Sequence, residues 1–171
     1  MSRTVIVDTN VAVVANRDAP QASPQCVLAC VRRLQKIMSD EERLAIDNQW
    51  LIISEYRANL RSSGQPGVGG AFLKWVLTNR ENRSRCDIVA ITRKDGDKTS
   101  FHEFPSDPAL QGFDLSDRKF VAVALAHPQH PPILQAVDSK WCIFRDSLDS
   151  HGVTIDFLCT DDIRRLSGGI Q

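Results

Sequence analysis

The chain lacks any apolar run near the ~20 residues that a membrane-spanning helix needs, and its first residues, Met1-Ser2-Arg3-Thr4, carry no apolar core of a secretory leader. It has no C-x-x-C pair. Its five cysteines (Cys26, Cys30, Cys86, Cys142 and Cys159) are odd in number and scattered. Reduced, buried thiols and a cytoplasmic setting are therefore expected. It also lacks net charge, with 21 basic and 21 acidic residues, and it is poor in aromatics at 6%. Hydrophobic residues at 42% and charged residues at 25% exclude a disordered or fibrous chain. The length of 171 residues fits one domain, 1–171, able to bury a core without covalent staples.

Zero net charge hides an uneven distribution. Residues 1–56 hold 6 Lys/Arg and 7 Asp/Glu, residues 57–94 hold 8 and 2, and residues 95–171 hold 7 and 12. A basic middle and an acidic remainder permit an acidic centre beside a surface that attracts a polyanion, although from charge alone a solvated basic helix face is the better explanation of the middle.

Strand and helix signals alternate along the chain. Thr4-Val5-Ile6-Val7 is a β-branched run without polar alternation, as in a strand covered on both faces, and Asp8 ends it. Pro20, Ser23 and Pro24 open a helix through about Met38, with Val27, Cys30, Val31 and Leu34 at helical spacing. Arg43–Asp47 reads as a second strand, and Asp47 or Asn48 as the cap of a helix bearing Trp50, Ile53, Glu55 and Tyr56. A glycine-rich loop over 62–70 precedes a helix near 71–82. The runs 87–92 and 99–104 flank Asp95-Gly96 and predict a β-hairpin. Ser116 reads as the cap of a helix through Ala126, and the runs 133–138 and 153–158 are two further strands. The pattern predicts an α/β domain, a three-layer α/β/α sandwich on a mainly parallel sheet with an inserted hairpin.

Two predicted strands end in a carboxylate, Asp8 and Asp138, and ligands of open α/β sheets sit beyond such strand ends. Glu55 on a helix and Asp117 at a helix start add two more acids. Four converging carboxylates repel and raise one another's pKa. A hard cation such as Mg²⁺ or Mn²⁺, which prefers oxygen ligands, relieves that repulsion.

The segments Val5-Ile6-Val7-Asp8-Thr9-Asn10-Val11, Ile53-Ser54-Glu55-Tyr56, Ser116-Asp117-Arg118-Lys119-Phe120 and Ala136-Val137-Asp138-Ser139-Lys140-Trp141 resemble, in this order, the motifs of PIN-domain nucleases. Those carry an Asp-x-Asn/Ser start, a helical Glu before an aromatic, an Asp opening a helix and a strand-end Asp. The resemblance implies that Asp8, Glu55, Asp117 and Asp138 are catalytic acids that bind Mg²⁺ or Mn²⁺. It implies that Asn10 or Thr9 positions a water or phosphate, and that the activity is endonucleolytic cleavage of RNA leaving a 5′-phosphate. Arg118 and Lys119 stand beside Asp117 as phosphate contacts. An inhibitory protein partner and a homodimer are compatible with the family. Asp114, three residues before Asp117, is the alternative helix-opening ligand. The stretch 61–112 is longer than in the short toxin-type members.

Two other readings share parts of this pattern. A PIN-like module that binds RNA or protein without catalysis would keep the fold, and a phosphatase would use Asp8 as nucleophile. The phosphatase motif, however, wants a second Asp where Asn10 stands. Arg57, Arg61, Lys74, Arg80, Arg83 and Arg85 are candidate backbone contacts and Trp75 a candidate stacking platform, with a core role the competing reading for Trp75. Gly64-x-x-x-x-Gly69 is followed by Gly70-Ala71 where a phosphate-binding loop needs Lys and Ser/Thr, and prolines break the helix that would align His127 and His130.

Overall fold

In a computed structural model, residues 2–61, 64 and 67–168 are described. Five strands form one sheet in the order β3-β2-β1-β4-β5: β1 (Arg3–Val7), β2 (Glu42–Asp47), β3 (Cys86–Val89), β4 (Ile133–Gln135) and β5 (Ile155–Phe157). Every pairing is parallel, with Val5 opposite Leu44, Leu44 opposite Cys86, Ile6 opposite Ile133 and Ile133 opposite Ile155. Val5, Ile6 and Val7 are fully buried, as the unalternated run requires of a strand covered on both faces.

The helices are α1 (Thr9–Ala15), α2 (Pro24–Met38), α3 (Leu51–Asn59), α4 (Val68–Asn79), α5 (Arg118–Ala126), α6 (Lys140–Ile143), α7 (Arg145–Ser150) and α8 (Thr160–Leu166). Right-handed crossovers put α1–α4 over one face of the sheet, because the chain moves outward from β1 to β3. They put α5–α7 over the other, because it returns through β4 to β5. This is the expected three-layer sandwich. Among the described residues, no helix is long and apolar enough to cross a membrane.

Local chemistry explains the element boundaries. Ser23 accepts the amide of Cys26 and Pro24 occupies the first turn of α2, whose Cys26, Cys30, Leu34 and Ile37 face inward. Asp47 ends β2 and accepts the amides of Gln49, Leu51 and Ile52, so it organises the start of α3 as expected. Gly69 lies where α4 crosses α1: a Cβ there would stand 2.2 Å from the Ala12 carbonyl oxygen, and the Gly70 amide donates to Asn16 Oδ1 at 3.1 Å. Gly69 and Gly70 permit this close helix packing, and part of the predicted 62–70 loop lies outside the described residues.

Several expectations need correction. The strand after Cys86 stops at Val89 and joins the parallel sheet, because Asn48 diverts the chain: its amide donates to the Val89 carbonyl and its Oδ1 accepts the Ile91 amide. The hairpin is thereby reduced to one antiparallel bridge, Arg93 to Phe101, with Asp95 and Gly96 at positive φ in its turn. Ser116 is not the cap of the helix after it. Asp114 caps a one-turn 3₁₀ helix (Leu115–Asp117) by accepting the Ser116 amide and hydroxyl, and Asp117 stands at the N-cap of α5 without a capping bond.

The thiols also differ from expectation. Cys26 and Cys159 form a disulfide, while Cys30, Cys86 and Cys142 are free. The partner of Cys26 is 133 residues away and arrives beside α2 only because β5 delivers the start of α8 there. The cysteine pattern therefore carries no argument for a reducing compartment.

Candidate functional site

In the strand order β3-β2-β1-β4-β5 the chain reverses direction between β1 and β4, and the crevice beyond the carboxyl ends of those strands is where open α/β sheets bind ligands. Asp8 follows β1 and Asp138 follows β4. Asn10 holds the two strand ends together: its side-chain carbonyl accepts the Val137 amide at 2.8 Å. Tyr56, buried in α3, donates its hydroxyl to the Val7 carbonyl at 2.6 Å and so holds Glu55 against the end of β1. The Thr9 hydroxyl then donates to Glu55 Oε1 at 2.6 Å. On the other face of the sheet, the turn capped by Asp114 sets Asp117 at the start of α5.

The four acids lie within electrostatic range of one another. Asp8 is 4% exposed, and one of its oxygens accepts the Asn10 amide at 2.9 Å. Burial, then the Asp117 carboxylate, raise its pKa well above the ordinary carboxylate range; the Asn10 amide opposes this, and Glu55 and Asp138 add to it. Burial pushes Asp117 up to about 7, with Asp114, Asp138 and Glu55 adding to the rise and Lys119 opposing it. Asp117 is only 9% exposed, and among the described residues its carboxylate has no hydrogen-bond or ion-pair partner. Its charged form is therefore disfavoured by burial and by the neighbouring acids, and its oxygens stay open to a group entering the crevice.

The remaining candidates are already engaged. Lys119 is buried, and its ammonium bonds Glu55 Oε2 and the Ser116 carbonyl while lying 4.8 Å from the centre of the Phe120 ring. Glu55 thus has both oxygens satisfied. Asp138 is half-buried and accepts the Lys140 amide at 3.1 Å. Asp114 is committed to its turn, and hydrogen bonds from Ser116 hold its pKa below the usual range. The carboxylates are not drawn into a tight cage. Among the described residues, the one group of three metal-ligating side chains whose ligand atoms all lie within 4.8 Å of one another is Cys26, Cys30 and Cys159.

Other sequence candidates lie apart from this crevice. Arg80 stacks 4.1 Å from the centre of the Trp50 ring and pairs with Glu81, and Arg85 pairs with Asp40 at 2.8 Å. Trp75 stacks on Phe72, partly buried against the core. His127 bonds Asp87 at 3.1 Å, at the opposite ends of the strands. Sequence reasoning missed Tyr56 as the anchor of Glu55 and the side-chain bond of Asn10 to Val137, since neither partner is legible without the strand order. Comparison of the chain with protein-family models, with curated proteins and with solved structures returns no match.

Proposed function

We propose that the protein is an endoribonuclease that hydrolyses RNA phosphodiester bonds with Mg²⁺ or Mn²⁺ held by Asp8, Asp117 and Asp138. The observation that carries this reading is Asp117, a residue only 9% exposed whose carboxylate makes no hydrogen bond or ion pair among the described residues and opens on a crevice that two other acids face. The donor set is all oxygen, which suits a hard cation and not zinc or copper. A divalent cation bound there supplies Lewis-acid polarisation of the phosphate and activation of the attacking water.

The chain's own residues do the rest. Burial and the neighbouring acids raise the proton affinity of Asp8 and Asp117, so cation uptake competes with protons and is coupled to pH. Asn10 and Tyr56 keep the carboxylates at a fixed separation by tying Val137 and Val7. Glu55, bridged by Thr9 and Lys119, acts from the side of the site: it holds the Lys119 ammonium beside Asp117, where a phosphate needs positive charge. Arg118, the next residue along, is a second cation for the backbone of the substrate. An intracellular role, in the cytoplasm, goes with an RNA substrate.

The test is cleavage of an end-labelled single-stranded RNA with Mn²⁺, with and without EDTA, by the wild type and Asp8→Asn. Cleavage abolished by EDTA and reduced at least ~100-fold in the variant is expected if the acid acts through the cation. Equal rates in both proteins would refute the site. RNA binding with no cleavage of any RNA would favour a silent binding module. Turnover of small phosphomonoesters would favour Asp8 as a nucleophile.

A further inference from the structure

Beside this site lies a cavity that the proposed chemistry does not use. It has a volume of about 430 Å³ and is walled by the segment that leaves β3, turns at Asp95-Gly96 and returns towards Asp114. Lys94, Ser100, Phe104, Ser106, Gln111 and Arg118 are among its lining residues. The size falls within the range of roughly 300–1,000 Å³ typical of small-ligand sites, enough for one nucleotide and too small for a duplex.

Resting on the nuclease reading, we propose that this cavity is a nucleotide subsite that receives one unstacked base of the RNA next to the bond being cut. Its chemistry matches a base with its phosphate. The Arg118 guanidinium lies 4.7 Å from the centre of the Phe104 ring, which stacks on Phe113 at 5.8 Å, so the stacking plane left for a base is the guanidinium itself, backed by the ring. Arg118 is poorly satisfied by the protein: it makes one long bond, 3.3 Å to the Gln111 carbonyl, and its buried Nε has no partner. Lys94 has no ion-pair partner among the described residues. The one acid of the lining, Asp107, is already held by His151 at 2.8 Å and by the Ala109 amide at 2.9 Å. Its single negative charge leaves the two cations in excess. The Ser100 and Ser106 hydroxyls and the Gln111 amide supply donors and acceptors for a base edge.

Two connections tie the cavity to the acids. Arg118 follows Asp117 directly, so the residue that ends at the crevice and the one that enters the cavity share a peptide bond. Phe104 stacks on Phe113 at 5.8 Å and Phe113 meets Trp141 edge-on at 5.0 Å, so the cavity wall is packed against the helix that starts just after Asp138. An RNA strand whose phosphate lies over the acids can thus place its neighbouring base between the Arg118 guanidinium and the Lys94 side.

The experiment uses the full chain in EDTA, so that binding is read without catalysis. The four ribonucleoside 5′-monophosphates are titrated while backbone amide NMR shifts at Ser100, Phe101 and Gln111 are followed, with inorganic phosphate and an acidic hexapeptide as controls. Saturable shifts with a nucleotide, weakened about tenfold or more in Arg118→Ala, are expected from the loss of the stacking plane. The same loss is expected in Ser106→Trp, which fills the cavity from its exposed rim and does not depend on the core for folding. Absence of nucleotide shifts there would overturn the proposal. So would equal binding in Ser106→Trp, or matching shifts with phosphate or the peptide. Asp8→Asn separates this proposal from the nuclease reading: it retains nucleotide binding in EDTA while losing cleavage. RNA cleavage without nucleotide binding overturns the subsite alone, and nucleotide binding without cleavage overturns the nuclease alone.

Discussion

Asp117→Asn is expected to make the metal-free protein more stable at alkaline pH while destroying its activity. The pKa of this carboxyl rises on folding from 3.8 to about 7. The folded state therefore keeps a proton that the unfolded chain has released, and stability falls as pH climbs from about 4 to about 7. At 1.36 kcal/mol per pKa unit this penalty amounts to roughly 4 kcal/mol above pH 7, and Asp8 adds to it in the same direction. Asparagine carries no charge and, since the carboxylate has no partner among the described residues, breaks no hydrogen bond. Recovering even half of the penalty should raise Tm by about 5 °C for a domain of this size at pH 8. The gain should vanish near pH 4, where both proteins carry a neutral group. The assay is differential scanning calorimetry in EDTA from pH 4 to 8, for wild type and variant. With Mn²⁺ the order should reverse, because the cation stabilises only a protein that can bind it. A wild-type Tm that rises from pH 5 to 8 in EDTA, or a variant that melts lower at pH 8, would refute the reasoning.

Tyr56→Phe removes the hydroxyl that reaches the Val7 carbonyl and should cost about 1–2 kcal/mol in urea unfolding, with a larger fractional loss of cleavage because Glu55 is no longer held. A variant with full stability and full activity would count against that anchor. Gly69→Ala places a methyl 2.2 Å from the Ala12 carbonyl oxygen, so unfolding should become easier by about 1–3 kcal/mol. Reduction of the Cys26–Cys159 disulfide, which spans 133 residues, should lower stability by about 2–5 kcal/mol, read as a Tm drop on adding dithiothreitol; a Cys26→Ser protein should show no further drop.

Much of the fold was legible because its longest signals are local. The run Val5–Val7 and the inward stripe of α2 each satisfy one periodicity, and Ser23-Pro24 and Asp47 announce helix starts chemically. The short helices were not legible. Thr9–Ala15 is a seven-residue segment with four β-branched residues, and α6–α8 have four to seven residues each, so packing and not propensity makes them helical. The run 87–92 looked like one strand of a hairpin because Asp95-Gly96 is a strong turn signal. Its fate was decided by Asn48, a residue in a different loop. The disulfide was invisible for the same reason, since only the parallel order brings Cys159 to Cys26.

The acids show why a sequence can nominate a site yet not rank its members. Asp47, Asp114 and Asp117 all stand at a strand end or a helix start, and by residue type and position they are equivalent. Asp47 is 1% exposed and accepts three backbone amides, and Asp114 accepts two groups of Ser116. Each is fully accounted for by the turn it builds. Asp117 builds nothing with its carboxylate, yet it is buried among like charges. On the proposed function, its use comes from a group that arrives later, and the opposite charge and oxygen preference of a hard cation meet the need. Glu55 falls between the two cases: Thr9 and Lys119 satisfy it, but the Lys119 ammonium they hold there is itself buried beside Asp117. If Glu55 were a simple ligand, releasing Lys119 would strengthen cation binding; if it is the holder of a fixed positive charge, releasing Lys119 would leave cation affinity intact and weaken only the hold on phosphate.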